Sequence, residues 1–126
     1  MATTNRILWE RINTAFENGD MDFYESCIAD DIRWNILGVE NPITDKQEYL
    51  EVLKMQSLES FPEITIVNII AEGDYVVVES TGKATTKKGK PYNQTYCDIY
   101  RFKDGMIQEV TTYLDTALSK KVMNDN

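Results

Sequence analysis

Histidine is absent from this chain of 126 residues, and its absence removes several kinds of chemistry at once. Without an imidazole there is no Ser-His-Asp or Cys-His nucleophilic arrangement and no histidine-based metal site. Cysteine is nearly as scarce, because only Cys27 and Cys97 are present, too few for a disulfide scaffold or a four-thiolate zinc site. We therefore expect two unpaired thiols, a reducing compartment and a cytoplasmic location.

Positive charge and long apolar runs are also in short supply. The 13 Lys and Arg residues are outnumbered by 21 Asp and Glu residues, which gives a net charge of −8. This balance argues against a nucleic-acid partner, because binding to a phosphate backbone depends on cationic side chains. The longest apolar runs are about four residues, so no segment is expected to cross a membrane. The length suits one domain over residues 1–126.

The chain changes from helical to strand-like periodicity near its middle. Apolar residues recur at helical spacing over residues 4–18, a short helix is expected after Asp20, and a capping box at Thr44 predicts a third helix to about residue 57. Alternation with a period of two predicts strands over residues 32–37, 64–71, 75–84, 92–102 and 106–115. Three helices packed on a curved antiparallel sheet define an α+β domain, with a cavity where the sheet curls.

The end of the last predicted strand carries the first candidate for chemistry. Thr111, Tyr113 and Asp115 share one strand face, and Asp115 is the last residue before a short C-terminal helix. If this face lines the cavity, apolar walls raise the pKa of Asp115, and the carboxyl group can act as a general acid or base beside Tyr113. The structural alternative is that Asp115 caps the helix or faces water.

The turn at Gly105 decides which residues of the preceding strand meet Asp115. If Gly105 is the bulge residue of a three-residue turn, Asn93 lies opposite Asp115 and Arg101 lies opposite Ile107. We favour this register because it gives Gly105 a left-handed conformation. Asn93 and Arg101 are therefore candidate substrate-binding residues.

A two-residue turn at residues 104–105 is the alternative. It shifts the register by one residue, so that Gln94 faces Asp115 and Tyr96 faces Tyr113. Which face of the strand at 92–102 lines the cavity depends on this choice.

Trp34 is a third candidate substrate-binding residue. It lies in the middle of the first predicted strand, where a bulky aromatic side chain is usually part of the core. The functional alternative is that Trp34 forms a stacking wall for an apolar ligand. Its indole N–H needs a hydrogen-bond partner if the ring is buried.

Several runs, in their order and spacing, resemble SnoaL-like proteins of the NTF2-like superfamily. They are residues 29–34 (ADDIRW) with Gly38, 89–97 (GKPYNQTYC), 102–107 (FKDGMI) and 113–116 (YLDT). The resemblance implies a cone-shaped α+β barrel, a deep pocket between helices and curved sheet, and commonly a homodimer. In the polyketide cyclases of this superfamily a pocket aspartate near the end of the last strands is the general acid/base, and Asp115 is the matching position.

Two other activities of the superfamily match this chain less well. Ile36 occupies the position of the base aspartate of ketosteroid isomerase, and residues 79–84 lack the Arg-x-Asp element of limonene-epoxide hydrolase. The leading hypothesis is a SnoaL-like pocket for an apolar, carbonyl-containing metabolite, in which Asp115 moves a proton without a metal or organic cofactor. A binding-only or carrier domain, and an assembly module that dimerises through its outer sheet face, are the alternatives.

Overall fold

A computed structural model describes residues 4–53 and 63–124, with side chains up to Val122. These ranges contain four helices and five strands. In chain order they are α1 (Thr4–Glu17), α2 (Met21–Ser26), β1 (Ile28–Ile36), α3 (Lys46–Leu53), β2 (Glu63–Glu72), β3 (Tyr75–Lys83), β4 (Gln94–Lys103), β5 (Met106–Leu114) and α4 (Thr116–Asn124). The last turn predicted for the third helix, to about residue 57, lies outside the described residues. No helix within the described ranges is long and apolar enough to cross a membrane.

The ends of the first helices follow local chemistry. Gly19 ends α1 with a φ of 77°, which a residue without Cβ adopts at no steric cost. Asp20 then caps α2, because its Oδ1 accepts the N–H of Phe23 at 3.2 Å. At α3 the cap differs from the prediction, since Oδ2 of Asp45, and not the Thr44 side chain, accepts the N–H of Glu48 at 3.0 Å.

The five strands form one mixed sheet in the order β1-β5-β4-β3-β2. The predicted α+β class and curved sheet are confirmed, but two details differ from the expectation. β1 runs parallel to β5, whereas the other pairs are antiparallel. β1 is followed by α3, and its partner β5 is the last strand of the chain, so a long connection joins the two. A long crossover connection of this kind permits parallel pairing. The sheet is also open, with β1 and β2 at its edges, so the barrel is not closed.

The sheet has an inner face against the helices and an outer face toward solvent. Inner residues alternate along each strand, as Val76 and Val78 do in β3, both of which are buried. They pack in one core cluster with Trp9 and Ile12 of α1 and other apolar side chains. The inner face is therefore the surface on which an interior site can form.

The favoured register of the last hairpin is wrong. Asp104 and Gly105 form a two-residue turn, with φ values of 53° and 77°, so both residues are left-handed. Primed turns of this kind match the twist of the strands that they join. Phe102 therefore pairs with Ile107, which is the alternative register near the turn.

An irregularity one residue further along shifts the register again. Arg101 pairs with Glu109 and not with Ile107, and beyond this bulge Tyr96 pairs with Leu114. Neither sequence-based register included this second shift. Because a one-residue slip exchanges the two faces of a strand, it decides which side chains of β4 and β5 meet inside the molecule.

Candidate functional site

One carboxyl group lies on the aromatic inner face of β4. Asp98 is partly buried and is flanked on the same face by Tyr96 and Tyr100, two residues away on either side. It pairs with Val78 of β3 and with Thr112 of β5. Asp98 therefore lies in the middle of the sheet, with neighbouring strands on both sides.

A chain of two hydrogen bonds connects Asp98 to β1. The Thr112 hydroxyl donates to Oδ1 of Asp98 at 2.6 Å, and Nε1–H of Trp34 donates to Oγ1 of Thr112 at 2.9 Å. Thr112 is buried, with 6% of its surface exposed. The indole N–H of Trp34 therefore has its hydrogen-bond partner next to the Asp98 carboxylate.

An aromatic cluster of Phe16, Tyr24, Trp34 and Tyr49 joins this chain to the helices. The rings of Trp34 and Tyr49 meet edge to face, with centroids 5.0 Å apart. The Tyr24 and Tyr49 hydroxyls lie 2.8 Å apart, and the Phe16 and Tyr24 ring centroids are 5.1 Å apart. Edge-to-face contacts of this kind favour a fixed arrangement of rings. The cluster therefore forms an ordered apolar wall near Asp98.

Burial changes the acidity of Asp98. Loss of solvation disfavours the carboxylate and raises the pKa of Asp98 to about 6, while the hydrogen bond from Thr112 offsets part of this rise. A carboxyl group with this pKa exchanges its proton near neutral pH. Such a group can act as either a general acid or a general base.

Burial also raises the pKa values of the tyrosines near Asp98, but for a phenol this means that the group does not titrate near neutral pH. Burial raises the pKa of Tyr24 to about 12. Burial is also the largest cause of the raised pKa values of Tyr49 and Tyr100, and the negative charges of Asp98 and of neighbouring tyrosines add to the rise. These phenols therefore stay protonated at neutral pH. They are hydrogen-bond donors and acceptors, and the carboxyl group is the titrating member of the site.

The sequence profile of the SnoaL-like domain family matches residues 9–110 of this chain. The chain belongs to the SnoaL-like domain family. A comparison with curated proteins gives no match.

Solved structures show that this SnoaL-like domain has an NTF2-like fold. An NTF2-like protein of unknown function from Burkholderia pseudomallei is 18% identical, with a TM-score of 0.81, over 95% of this chain and 97% of that chain. An LEH-like epoxide hydrolase from M. tuberculosis is 24% identical, with a TM-score of 0.72, over 94% and 87%. TerC, co-crystallized with polyporic acid, is 17% identical, with a TM-score of 0.76, over 97% and 99%. At these identities the likeness shows the fold.

Asp115 of this SnoaL-like domain is exposed and not enclosed by apolar walls. Its Oδ1 accepts the N–H of Leu118 at 3.0 Å, so the side chain caps α4. The expectation that Asp115 faces a dry hollow is therefore wrong, because the residue follows the strand face that points to solvent. The geometry agrees with the structural alternative, and a catalytic role for Asp115 stays a prediction.

Tyr113 shares the outer face with Asp115. It is 46% exposed and pairs with Cys97 across the sheet. Tyr113 and Asp115 line an open groove of about 380 Å³ together with residues of β3 and β4 that include Glu79, Thr81, Thr95 and Cys97. Tyr113 therefore still neighbours Asp115, but on the opposite side of the sheet from Asp98.

The remaining predicted site residues separate between the two faces. Asn93 is exposed and precedes β4, whereas Arg101 lies on the outer face with its Nε 3.3 Å from Oε1 of Glu109. Trp34 is the predicted residue that the structure places at the Asp98 site, where it supplies a hydrogen bond as well as an apolar ring.

Asp98 is not among the predicted site residues, although the sequence carries a signal for it. Tyr96, Asp98, Tyr100 and Phe102 alternate along one face, and three aromatic residues indicate that this face is buried. An acidic residue in the middle of such a series must be desolvated. In the described part of the chain, no group of three acidic or cysteine side chains is arranged to hold a metal ion.

Proposed function

We propose that this SnoaL-like domain binds an apolar small molecule against the inner face and transfers protons on it through Asp98. The observation that carries the proposal is a partly buried carboxyl group with a pKa of about 6, held by Thr112 among aromatic rings. A group whose pKa lies close to the working pH accepts and returns protons with a small thermodynamic penalty.

The chemistry that fits this site is proton transfer next to a carbonyl group. The Asp98 carboxylate removes a proton from the carbon beside the carbonyl, and the electron pair of the broken C–H bond moves toward the carbonyl oxygen. The resulting carboxylic acid then returns its proton to the product. Aromatic walls favour an apolar substrate, and burial keeps water from competing for the proton.

The Tyr24–Tyr49 pair supplies a donor for the negative oxygen that forms in this reaction. Their hydroxyls share one hydrogen bond of 2.8 Å, which uses one of the two phenolic protons. No described residue accepts the second proton, so it is free for a ligand oxygen. A hydrogen bond to a developing oxyanion stabilises the transition state more than the ground state.

The comparisons support a small-molecule ligand for this type of fold. TerC was co-crystallized with polyporic acid, and the similar protein from M. tuberculosis is described as an LEH-like epoxide hydrolase. Both facts concern those proteins, and we extend only the class of ligand, a small molecule, to this chain.

Hydrogen–deuterium exchange tests the proposal without knowledge of the natural substrate. Aromatic ketones are incubated with the protein in D₂O, and NMR follows loss of the proton next to the carbonyl group. We expect the wild-type protein to catalyse exchange and Asp98→Asn to lose it. Asp115→Asn is the matched control, because asparagine keeps a helix cap.

The outcomes separate the open alternatives. Exchange that survives Asp98→Asn but not Asp115→Asn would transfer the catalytic role to Asp115 and Tyr113 on the outer groove. Ligand binding by the wild-type protein without exchange would favour the binding or carrier function. The absence of both binding and exchange with every ketone tested would contradict the proposal.

We also propose that the outer face of the sheet pairs with a second copy of the chain. Ile70, Tyr75 and Tyr113 lie on this face and expose 64%, 49% and 46% of their surfaces. Exposed apolar residues grouped on one sheet face are typical of association surfaces. Sedimentation at micromolar concentration tests this, and a strictly monomeric protein would contradict it.

Cys27 and Cys97 are unpaired, which is compatible with the cytoplasmic location that we also propose.

A further inference from the structure

The hydrogen bonds around Thr112 can be assigned a direction from elementary donor and acceptor chemistry. An indole N–H can only donate, so Oγ1 of Thr112 must accept from Nε1 of Trp34. A hydroxyl carries a single proton, and among the described residues Asp98 is the acceptor within reach of it, 2.6 Å away. The Thr112 proton therefore points at Oδ1 of Asp98.

This direction makes the two oxygens of Asp98 unequal. Oδ1 is occupied as an acceptor, and placing the acid proton on Oδ1 would turn two protons toward each other or leave the Thr112 proton without an acceptor. We infer that Trp34 and Thr112 are positioning residues that make Oδ2 the proton-carrying oxygen of Asp98. The inference rests on the proposed function, since it names the atom through which that function would operate.

The distance between the two oxygens supports Thr112 as the donor to Oδ1. A separation of 2.6 Å falls in the range of O–H···O⁻ bonds, which are shorter and stronger than bonds between neutral groups. Trp34 contributes by occupying one lone pair of Oγ1, which removes one of the orientations open to the Thr112 proton. Trp34 is itself fixed by its edge-to-face contact with Tyr49. The carboxyl group is thereby aligned before a ligand arrives.

Few groups near Asp98 compete for this proton. Five titratable side chains have an acidity that depends on the Asp98 charge, and burial raises the pKa of each. They are Tyr24 of α2, Tyr49 of α3, and Tyr96, Cys97 and Tyr100 of β4. They are uncharged near neutral pH. Removal of the Thr112 hydroxyl therefore acts on Asp98 directly and not through a second titration.

Infrared spectroscopy distinguishes the two oxygens. At a pH of about 5, an ordinary aspartate is ionised and Asp98 is largely protonated. The carboxylic C=O band of Asp98 is the difference between the wild-type and Asp98→Asn spectra. If Oδ2 carries the proton, Oδ1 is the carbonyl oxygen that accepts from Thr112, and Thr112→Val must shift this band to higher frequency. A proton on Oδ1 would make Oδ2 the carbonyl oxygen, and the loss of the Thr112 hydroxyl would then shift the band much less.

Thr112→Ser is the matched control, because it keeps the hydroxyl and should keep the band in place. Trp34→Phe keeps an aromatic ring but loses the N–H, and we expect the band to broaden and move part of the way. A ¹³C NMR titration of Asp98 should show an upward pKa shift of about one unit in Thr112→Val. If valine is not tolerated, Thr112→Ala replaces it in both measurements.

The results separate this inference from the proposed function. An unshifted C=O band and an unchanged titration in Thr112→Val would overturn the positioning role, even if Asp98→Asn abolishes ketone exchange. Conversely, a shifted band with exchange retained in Asp98→Asn would preserve the positioning role and reject the proposed catalysis.

Discussion

The side chain of Gln94 binds both backbone polar groups of Asp115. Oε1 of Gln94 accepts the Asp115 N–H at 2.8 Å, and Nε2 donates to the Asp115 carbonyl oxygen at 3.1 Å. Nε2 also lies 3.0 Å from the Tyr92 hydroxyl and 3.2 Å from Oγ of Ser119. Gln94 is 1% exposed, so one buried amide joins the start of β4 to the start of α4.

Replacement of Gln94 by Met should destabilise the protein strongly. Met has a similar volume but cannot satisfy the backbone N–H and C=O of Asp115, and each unsatisfied buried group costs about 1–3 kcal/mol. We expect the free energy of unfolding to fall by about 2–4 kcal/mol in urea denaturation. Asn93→Ala, at the adjacent exposed position, is the control and should change stability little. Equal effects of the two substitutions would contradict a structural role for the amide.

The raised pKa of Asp98 predicts a specific dependence of stability on pH. The folded protein keeps the Asp98 proton up to a pH of about 6, whereas an unfolded aspartate loses it near 3.8. The native state therefore binds more protons than the unfolded state between these values, and stability decreases as the pH rises through this window. The expected loss is about 2–3 kcal/mol, and it persists above pH 7.

Asp98→Asn isolates this contribution, because asparagine does not titrate while the other carboxyl groups are unchanged. The difference in unfolding free energy between the wild-type protein and Asp98→Asn should change between pH 4 and pH 6 and be flat above pH 7. Urea denaturation at each pH measures it. A constant difference over the whole range would show that Asp98 has an ordinary pKa.

Local signals in the sequence predict helix ends better than they predict the site. Gly19 ends α1 and Asp20 caps α2, as the sequence predicts, because both effects depend on neighbouring residues only. The pairing of Asp98 with Thr112 depends instead on a bulge in the hairpin, and no turn rule specifies that bulge. The parallel contact of β1 with β5 is likewise a long-range choice, and it is what brings Trp34 to Thr112.

The hydroxyl pair of Tyr24 and Tyr49 should behave as a coupled unit. The two oxygens are 2.8 Å apart and both residues are buried. Tyr24→Phe or Tyr49→Phe alone leaves the other hydroxyl without its partner, at an expected cost of about 1–2 kcal/mol. The double substitution removes both polar groups, so its cost should be smaller than the sum of the two single costs.

A double-mutant cycle in urea measures this coupling directly. Tyr75→Phe is the control, since Tyr75 is 49% exposed on the outer face and should show no coupling with either residue. Strictly additive effects of Tyr24→Phe and Tyr49→Phe would contradict a significant hydrogen bond between them.

The two roles considered for Asp115 make opposite predictions for alanine and asparagine. As a helix cap, Asp115 accepts the Leu118 N–H at 3.0 Å, and Asp115→Ala should lower stability by about 1 kcal/mol. Asp115→Asn keeps an oxygen in the same place and should retain most of that stability. As an acid or base, by contrast, Asp115 would lose its function in both variants, because an amide does not titrate. We expect thermal unfolding to separate the alanine and asparagine variants, while ketone exchange is the same in both and close to that of the wild-type protein. Loss of exchange in a stable Asp115→Asn protein would return the catalytic role to the end of β5.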